Sequence, residues 1–202
     1  MKLGYSETTS TYRCCTACFP ITVTDAYKAD PNIVQEAVEF LKNANGTKRI
    51  FYGLGVQDPT IWWLLIEWET LKHHQDLKRQ RAIPDSETED PQVQFRAPYA
   101  ELALWTLKSG HTTKEKKEHA LELLKGVVTT LNGLPSDSGV FKGTVGPIVE
   151  EAENGVALTL GWTSPDATKK ALETLPEAQV IIDELKEIAD LRLVHVPLTS
   201  AK

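Results

Sequence analysis

The sequence predicts an α+β protein in which one plan, β-α-β-β-α-β, occurs twice in tandem. Three observations predict it. Two amphipathic helices share the same apolar spacing, a strand pair follows each, and each pair ends on a Trp two residues before a Thr or Ser suited to cap a helix. A chain of 202 residues fits one large domain or two units of about 100 residues. The repeat places the units at 12–97 and 98–200.

The elements follow in order. Cys18 to Thr24 reads as the first strand. Pro31 to Ala44 is the first helix, with Ile33, Val34, Ala37, Phe40, Leu41 and Ala44 on one face. Asp30-Pro31 gives it a capping side chain and an N1 proline. Arg49 to Val56 and Ile61 to Trp68 are the strand pair, joined by the turn Gln57-Asp58-Pro59-Thr60. A short helix begins near Trp68-Glu69-Thr70-Leu71, and Gln92 to Ala97 closes the first copy. Lys78 to Pro91, polar, acidic and bounded by prolines, reads as a linker loop.

The second copy repeats this. Ala100 to Lys108 is a strand, and Lys114 to Leu131 is a helix behind Thr112 or Thr113, with Ala120, Leu123, Leu124, Val127, Val128 and Leu131 on one face. Val140 to Val149 and Val156 to Trp162 pair across Glu153-Asn154-Gly155, since Asn-Gly is a hairpin signal. Trp162-Thr163-Ser164-Pro165 starts the next helix, and Leu191 to Leu198 closes the copy. This order is the ferredoxin-like, split βαβ plan. Its sheet carries helices on one face and leaves the other bare, so two sheets bury their bare faces against each other.

Composition narrows the function. Lys and Arg number 22 against 28 Asp and Glu, a formal net charge of −6. That balance argues against a nucleic-acid backbone as partner. The longest apolar run, Ile61 to Ile66, is far short of the ~20 residues a bilayer crossing needs. Residues 1–18 are polar where a secretory leader would be apolar, so a cytoplasmic protein is expected. Cys14, Cys15 and Cys18 form an odd cluster, a poor disulfide framework that reads as thiols of a strand and its approach, with redox or metal chemistry at the Cys15–Cys18 CxxC spacing as the alternative. The five His fall in no HxH or HExxH spacing, so no metal is expected. GxGxxG, GxxxxGK[ST] and GxSxG are absent.

Trp68 to Gln75, WETLKHHQ, is similar to the W-E-S-x-E-A-H-Q type of segment in the dimeric α+β barrel superfamily, in its antibiotic-biosynthesis-monooxygenase (ABM) group. FYGLGVQDPTIWWLLIEWETLKHH before it, and GVALTLGWTSPDA and DLRLVHVPLT in the second half, extend the resemblance over nearly the whole chain. The chain most resembles tandem, fungal-type members. The resemblance implies a barrel built by one chain where single-unit members need two, hence a monomer with a pseudo-dimeric barrel or a homodimer. It also implies a small hydrophobic or aromatic, polyketide-like ligand and cofactor-independent acid/base or oxygenase chemistry. The rival is a non-enzymatic ligand-binding or stress-response protein on the same barrel; haem binding is a weaker third reading.

Strand alternation sorts the candidate residues. Trp62, Leu64, Ile66 and Trp68 share one face, and Ile61, Trp63, Leu65 and Glu67 the other. In the second copy the face matching Trp63 and Glu67 carries Ala157 and Gly161, which reads as divergent packing, with an opened cavity as the alternative. Glu67 is an ionisable group in an apolar strand, so it is either a buried acid/base group or a wet strand end paired with a Lys. His74 matches the family's helix histidine and is expected either to serve as acid/base, with Glu67 or His195 auxiliary, or to form a surface pair with His73 beside Lys72 and Asp76. His73 and His74 point about 100° apart, so at most one faces inward. His195 shares its strand face with Leu191 and Leu193 and is either a satisfied core residue or a catalytic group. Tyr52, Trp62, Trp63 and Trp105 are expected as flat walls for the ligand, or as core aromatics.

Overall fold

A computed structural model describes residues 15–76, 82–84, 94–148 and 154–201. The first sheet contains β1 (Cys15–Thr22), β2 (Thr47–Leu54), β3 (Ile61–Trp68) and β4 (Ala82–Pro84). The second contains β5 (Tyr99–Leu107), β6 (Val140–Pro147), β7 (Gly155–Trp162) and β8 (Ala189–Val196). Their strand orders are β4-β1-β3-β2 and β8-β5-β7-β6, all neighbours antiparallel, so the two halves share one topology. A two-residue strand, β9 (Thr199–Ser200), joins the first sheet by pairing with Phe51 and Tyr52 of β2. The chain end thus crosses from one sheet to the other, and β4 in turn lies close to β6.

Alternation along the strands builds three cores. Trp62, Leu64, Ile66 and Trp68 pack with Val38 and Leu41 of the first half's helix. Trp105, Val156, Leu158, Leu160 and Trp162 pack with helices of the second half. Between them, Cys18, Phe51, Trp63 and Leu65 of one sheet meet Ala100, Leu102, Ala157, Val194 and Val196 of the other. This last cluster is the barrel interior. Cys18 lies in it as a buried thiol, whereas Cys14 and the Cys15 side chain fall outside the described residues.

Several elements differ from expectation. The first helical stretch is three pieces: α1 (Asp25–Ala29), a 3-10 turn (Pro31–Val34) and α2 (Gln35–Lys42). Asp30 caps the turn by accepting from the Asn32 N–H at 2.9 Å, and Pro31 has no N–H to join it to α1. Ala82–Pro84 pairs with β1 as the closing strand of the first copy, inside the expected linker. Gln94–Arg96 is instead a 3-10 turn whose Phe95 fills the barrel. The rest of the acidic stretch, 85–93, lies outside the described residues. After α3 (Leu71–Asp76), capped by Thr70 Oγ1 on the His73 N–H, comes α4 (Lys114–Asn132), capped by Thr113. The last helix is two, α5 (Pro165–Thr174) and α6 (Pro176–Ile188), broken at Pro176. Among the described residues no helix is long and apolar enough to cross a membrane.

The position equivalent to Glu67 is packed. A Cβ on Gly161 would lie 2.7 Å from Ala97 Cβ and 2.8 Å from Gln94 Cα and Phe141 Cβ. Gly161 therefore admits the inter-sheet turn against β7.

Candidate functional site

The three acid/base candidates fall in three places. His74 is fully buried on the helix side of the first sheet, stacked on Trp68 at 6.0 Å and edge-on to Phe19 at 6.1 Å. His73 turns outward, its Nδ1 3.2 Å from Thr70 Oγ1. Glu67, 2% exposed, lies on the barrel face of the same sheet. Arg49 reaches it at 3.0 Å and Lys48 at 3.2 Å, so it is a buried, doubly paired carboxylate on the opposite face from His74. The expectation of Glu67 as an auxiliary to His74 is corrected by this separation. Trp62 sits with Tyr27 and Tyr52 at 6.4 and 5.6 Å. Burial, with the neighbouring Tyr52 phenol, raises the Tyr27 hydroxyl above its ordinary pKa. Trp63 fills the barrel under the Arg192 guanidinium, 5.3 Å from its ring centre.

His195 stands elsewhere, with three partners that sequence reading passed over. β5 and β8 pair Glu101 directly with His195, both on the helix side of the second sheet. Glu101 is 3% and His195 4% exposed. The Thr168 hydroxyl, from the first turns of α5, donates to Glu101 Oε2 at 2.8 Å and lies 2.9 Å from His195 Nε2. Nε2 and Oε2 are 3.0 Å apart. On the far side of the ring, Gln57 Nε2 lies 2.6 Å from His195 Nδ1, and Gln57 Oε1 accepts from the His195 backbone N–H at 2.8 Å. Gln57 belongs to the β2–β3 turn of the first half. Asp58 stiffens that turn by accepting from the Thr60 N–H and hydroxyl, which hold its carboxyl below the ordinary range.

A cavity of about 180 Å³ opens beside this cluster, between the second sheet and α4–α6. Glu101 and Thr168 form a polar spot in its lining. Trp105, Trp162, Leu158 and Leu160 line it from the sheet, and Leu124, Val127 and Ile182 from the helices. Lys186 and Leu191, both exposed, lie at its rim. The polar contacts on Glu101 all use Oε2, so among the described residues Oε1 is the oxygen left for an occupant. The indole N–H groups of Trp105 and Trp162 are buried donors with no partner among the described residues. Of the expected aromatic walls, Trp105 lines this cavity, while Tyr52, Trp62 and Trp63 line other cores.

The signal for Glu101 was present in the sequence. In the ferredoxin-like order the first and last strands of a unit are neighbours, and Glu101 and His195 are polar interruptions of apolar faces on those two strands. Thr168 follows Trp162 by the interval at which His74 follows Trp68, so the two copies put different polar side chains at one position.

The sequence matches no protein-family model and no curated protein. Solved structures do match. An anthrone oxidase-like protein superposes with TM-score 0.64 at 12% identity, covering 95% of this chain and 94% of that one. A monooxygenase-like protein from Listeria innocua gives TM-score 0.56 at 11% identity, covering 92% and 96%. A ferredoxin-fold protein from Listeria monocytogenes, related to antibiotic biosynthesis monooxygenases, gives 0.56 at 10%, covering 92% and 95%. At these identities the likeness is one of fold. The chain thus has, over nearly its whole length, the ferredoxin-like fold of proteins related to the antibiotic biosynthesis monooxygenases.

Proposed function

We propose that the cavity of the second half binds a hydrophobic aromatic small molecule and that Glu101 removes a proton from it, without a cofactor. The observation that carries this reading is a buried carboxylate, held through one oxygen by Thr168 with His195 3.0 Å from the same oxygen, in the wall of a mostly apolar cavity. Anchoring Oε2 orients the carboxylate and leaves Oε1 as proton acceptor. A phenol or an acidic ring C–H against Oε1 would give a ligand anion and a protonated Glu101, and the anion would then react with O₂ or close a ring. The partnerless Trp105 and Trp162 indoles would favour a ligand that also carries a carbonyl oxygen. A 150 Å³ apolar cavity holds benzene, so about 180 Å³ suits one or two fused rings, with any larger part at the Lys186 rim.

In this reading His195 and Thr168 position the base, and His74 and Glu67 are structural. The test is anthrone, the substrate type that the fold neighbour's name suggests, with oxygen uptake as readout. Wild-type uptake should fall at least about 100-fold in Glu101→Gln, the scale of a lost general base, while anthrone affinity changes little. Binding without uptake would support the rival ligand-binding role. No binding would overturn both.

A further inference from the structure

Gln57 is not part of the cavity, yet two hydrogen bonds tie it to His195 from the other half of the chain. A backbone N–H can only donate, so the Gln57 atom facing the His195 N–H is the amide oxygen. The amide nitrogen therefore faces Nδ1 and donates to it. An imidazole nitrogen that accepts carries no proton, so the ring proton sits on Nε2. Nε2–H then donates to Thr168 Oγ1, whose own proton is committed to Glu101 Oε2. Four side chains form one hydrogen-bond chain with a single direction, from Gln57 to the carboxylate in the cavity wall.

The turn that carries Gln57 is seated for this. The Val56 N–H donates to the His195 carbonyl at 2.8 Å, so turn and strand exchange bonds in both directions. A Cβ on Gly55 would lie 3.0 Å from the Asp58 carbonyl oxygen and 3.1 Å from Val194 Cγ2. The missing side chain lets the turn approach β8.

We infer that Gln57 is a positioning residue for the Glu101 site, selecting the Nε2–H tautomer of His195, which donates to Thr168 Oγ1 and so directs the Thr168 hydroxyl proton at Glu101 Oε2. The inference rests on Glu101 acting as the base. It makes the first half of the chain a working part of the second half's site. A carboxamide does not relay protons near neutrality, so the chain fixes direction and is not an exit path. Any proton that Glu101 takes returns through the cavity.

The experiment is long-range ¹H–¹⁵N correlation on the ligand-free protein with ¹⁵N-histidine, assigning His195 by the resonances lost in His195→Asn. Wild type should show Nδ1 as the bare, pyridine-type nitrogen and Nε2 as the protonated, pyrrole-type one. In Gln57→Glu the new carboxylate can only accept, so Nδ1 should become pyrrole-type while the other His signals stay in place. Anthrone uptake should fall about tenfold with affinity kept. A wild-type His195 protonated on Nδ1, or unmoved His195 resonances in Gln57→Glu, would overturn the inference. The tautomer is read without ligand, so absence of anthrone turnover in the wild type would count against the catalytic reading alone.

Discussion

Filling the cavity separates binding from folding. Ala103 is 2% exposed on β5 and lines the cavity, so Ala103→Leu pushes three further carbons into it. Those carbons take roughly 80 Å³, and removing that much void is worth about 2 kcal/mol at ~24 cal/mol per Å³. The cavity measures about 180 Å³, so close to half of it is consumed. Strain from a larger side chain costs about 1–3 kcal/mol. The two nearly cancel, and the variant should melt within about 4 °C of wild type, since 1 kcal/mol moves a chain of this size by ~2–4 °C. Binding has no such compensation, because a two-ring ligand no longer fits. Calorimetric titration with 1-naphthol should show at least a tenfold weaker affinity, about 1.4 kcal/mol. Affinity within twofold of wild type at unchanged stability would place the ligand elsewhere and refute the cavity assignment.

Three more predictions test the frame around the site. Gly161→Ala forces apart β7 and the 94–97 turn, because its Cβ would come within 2.8 Å of Gln94 Cα; urea unfolding should show a loss of about 1–3 kcal/mol. Arg49→Met removes one of the two cations on the buried Glu67; a loss of about 1–3 kcal/mol is expected, below the 3–5 of a fully orphaned buried charge, and Glu67→Gln in the same chain should recover part of it. Asp58 titrates below its ordinary value of 3.8 in the folded state. Its contribution is therefore present above that value and is lost as pH falls through the depressed one. Asp58→Asn should flatten this part of the acid-unfolding curve, and an unchanged curve would remove the Thr60 turn as its cause.

What could be read from the sequence followed from periodicity. The alternation of Ile61–Trp68 sorts its side chains into two faces, and β3 runs over those residues with Trp62, Leu64, Ile66 and Trp68 toward the helix and Trp63 and Leu65 in the barrel. What could not be read depended on pairing at a distance. Ala82–Pro84 has no strand periodicity of its own and exists because β1 offers a free edge. Gln92 to Ala97 looked like a strand because it is partly apolar, but Phe95 is apolar as a plug between two sheets. Glu101 was overlooked for the same reason, since its meaning appears only once β5 lies beside β8.

The difference between the halves follows from a few positions. Glu101 occupies the β5 place that Ala17 holds on β1, as the strand registers against Leu160 and Ile66 show. Thr168 occupies the place of His74. In the first half a large ring stacks on Trp68 where the second half has a small hydroxyl beside Trp162, so the first site is filled by its own side chain. In the second half α6 roofs the sheet, with Ile182 and Lys186 in the cavity lining. A polar acceptor, a small neighbour and a roof coincide in the second copy. The first copy instead supplies Gln57, whose two bonds to His195 need the sheets held edge to edge by β9 and the β2–β3 turn. A barrel made from one chain permits this division, because two identical subunits could not specialise a cavity in one and its support in the other.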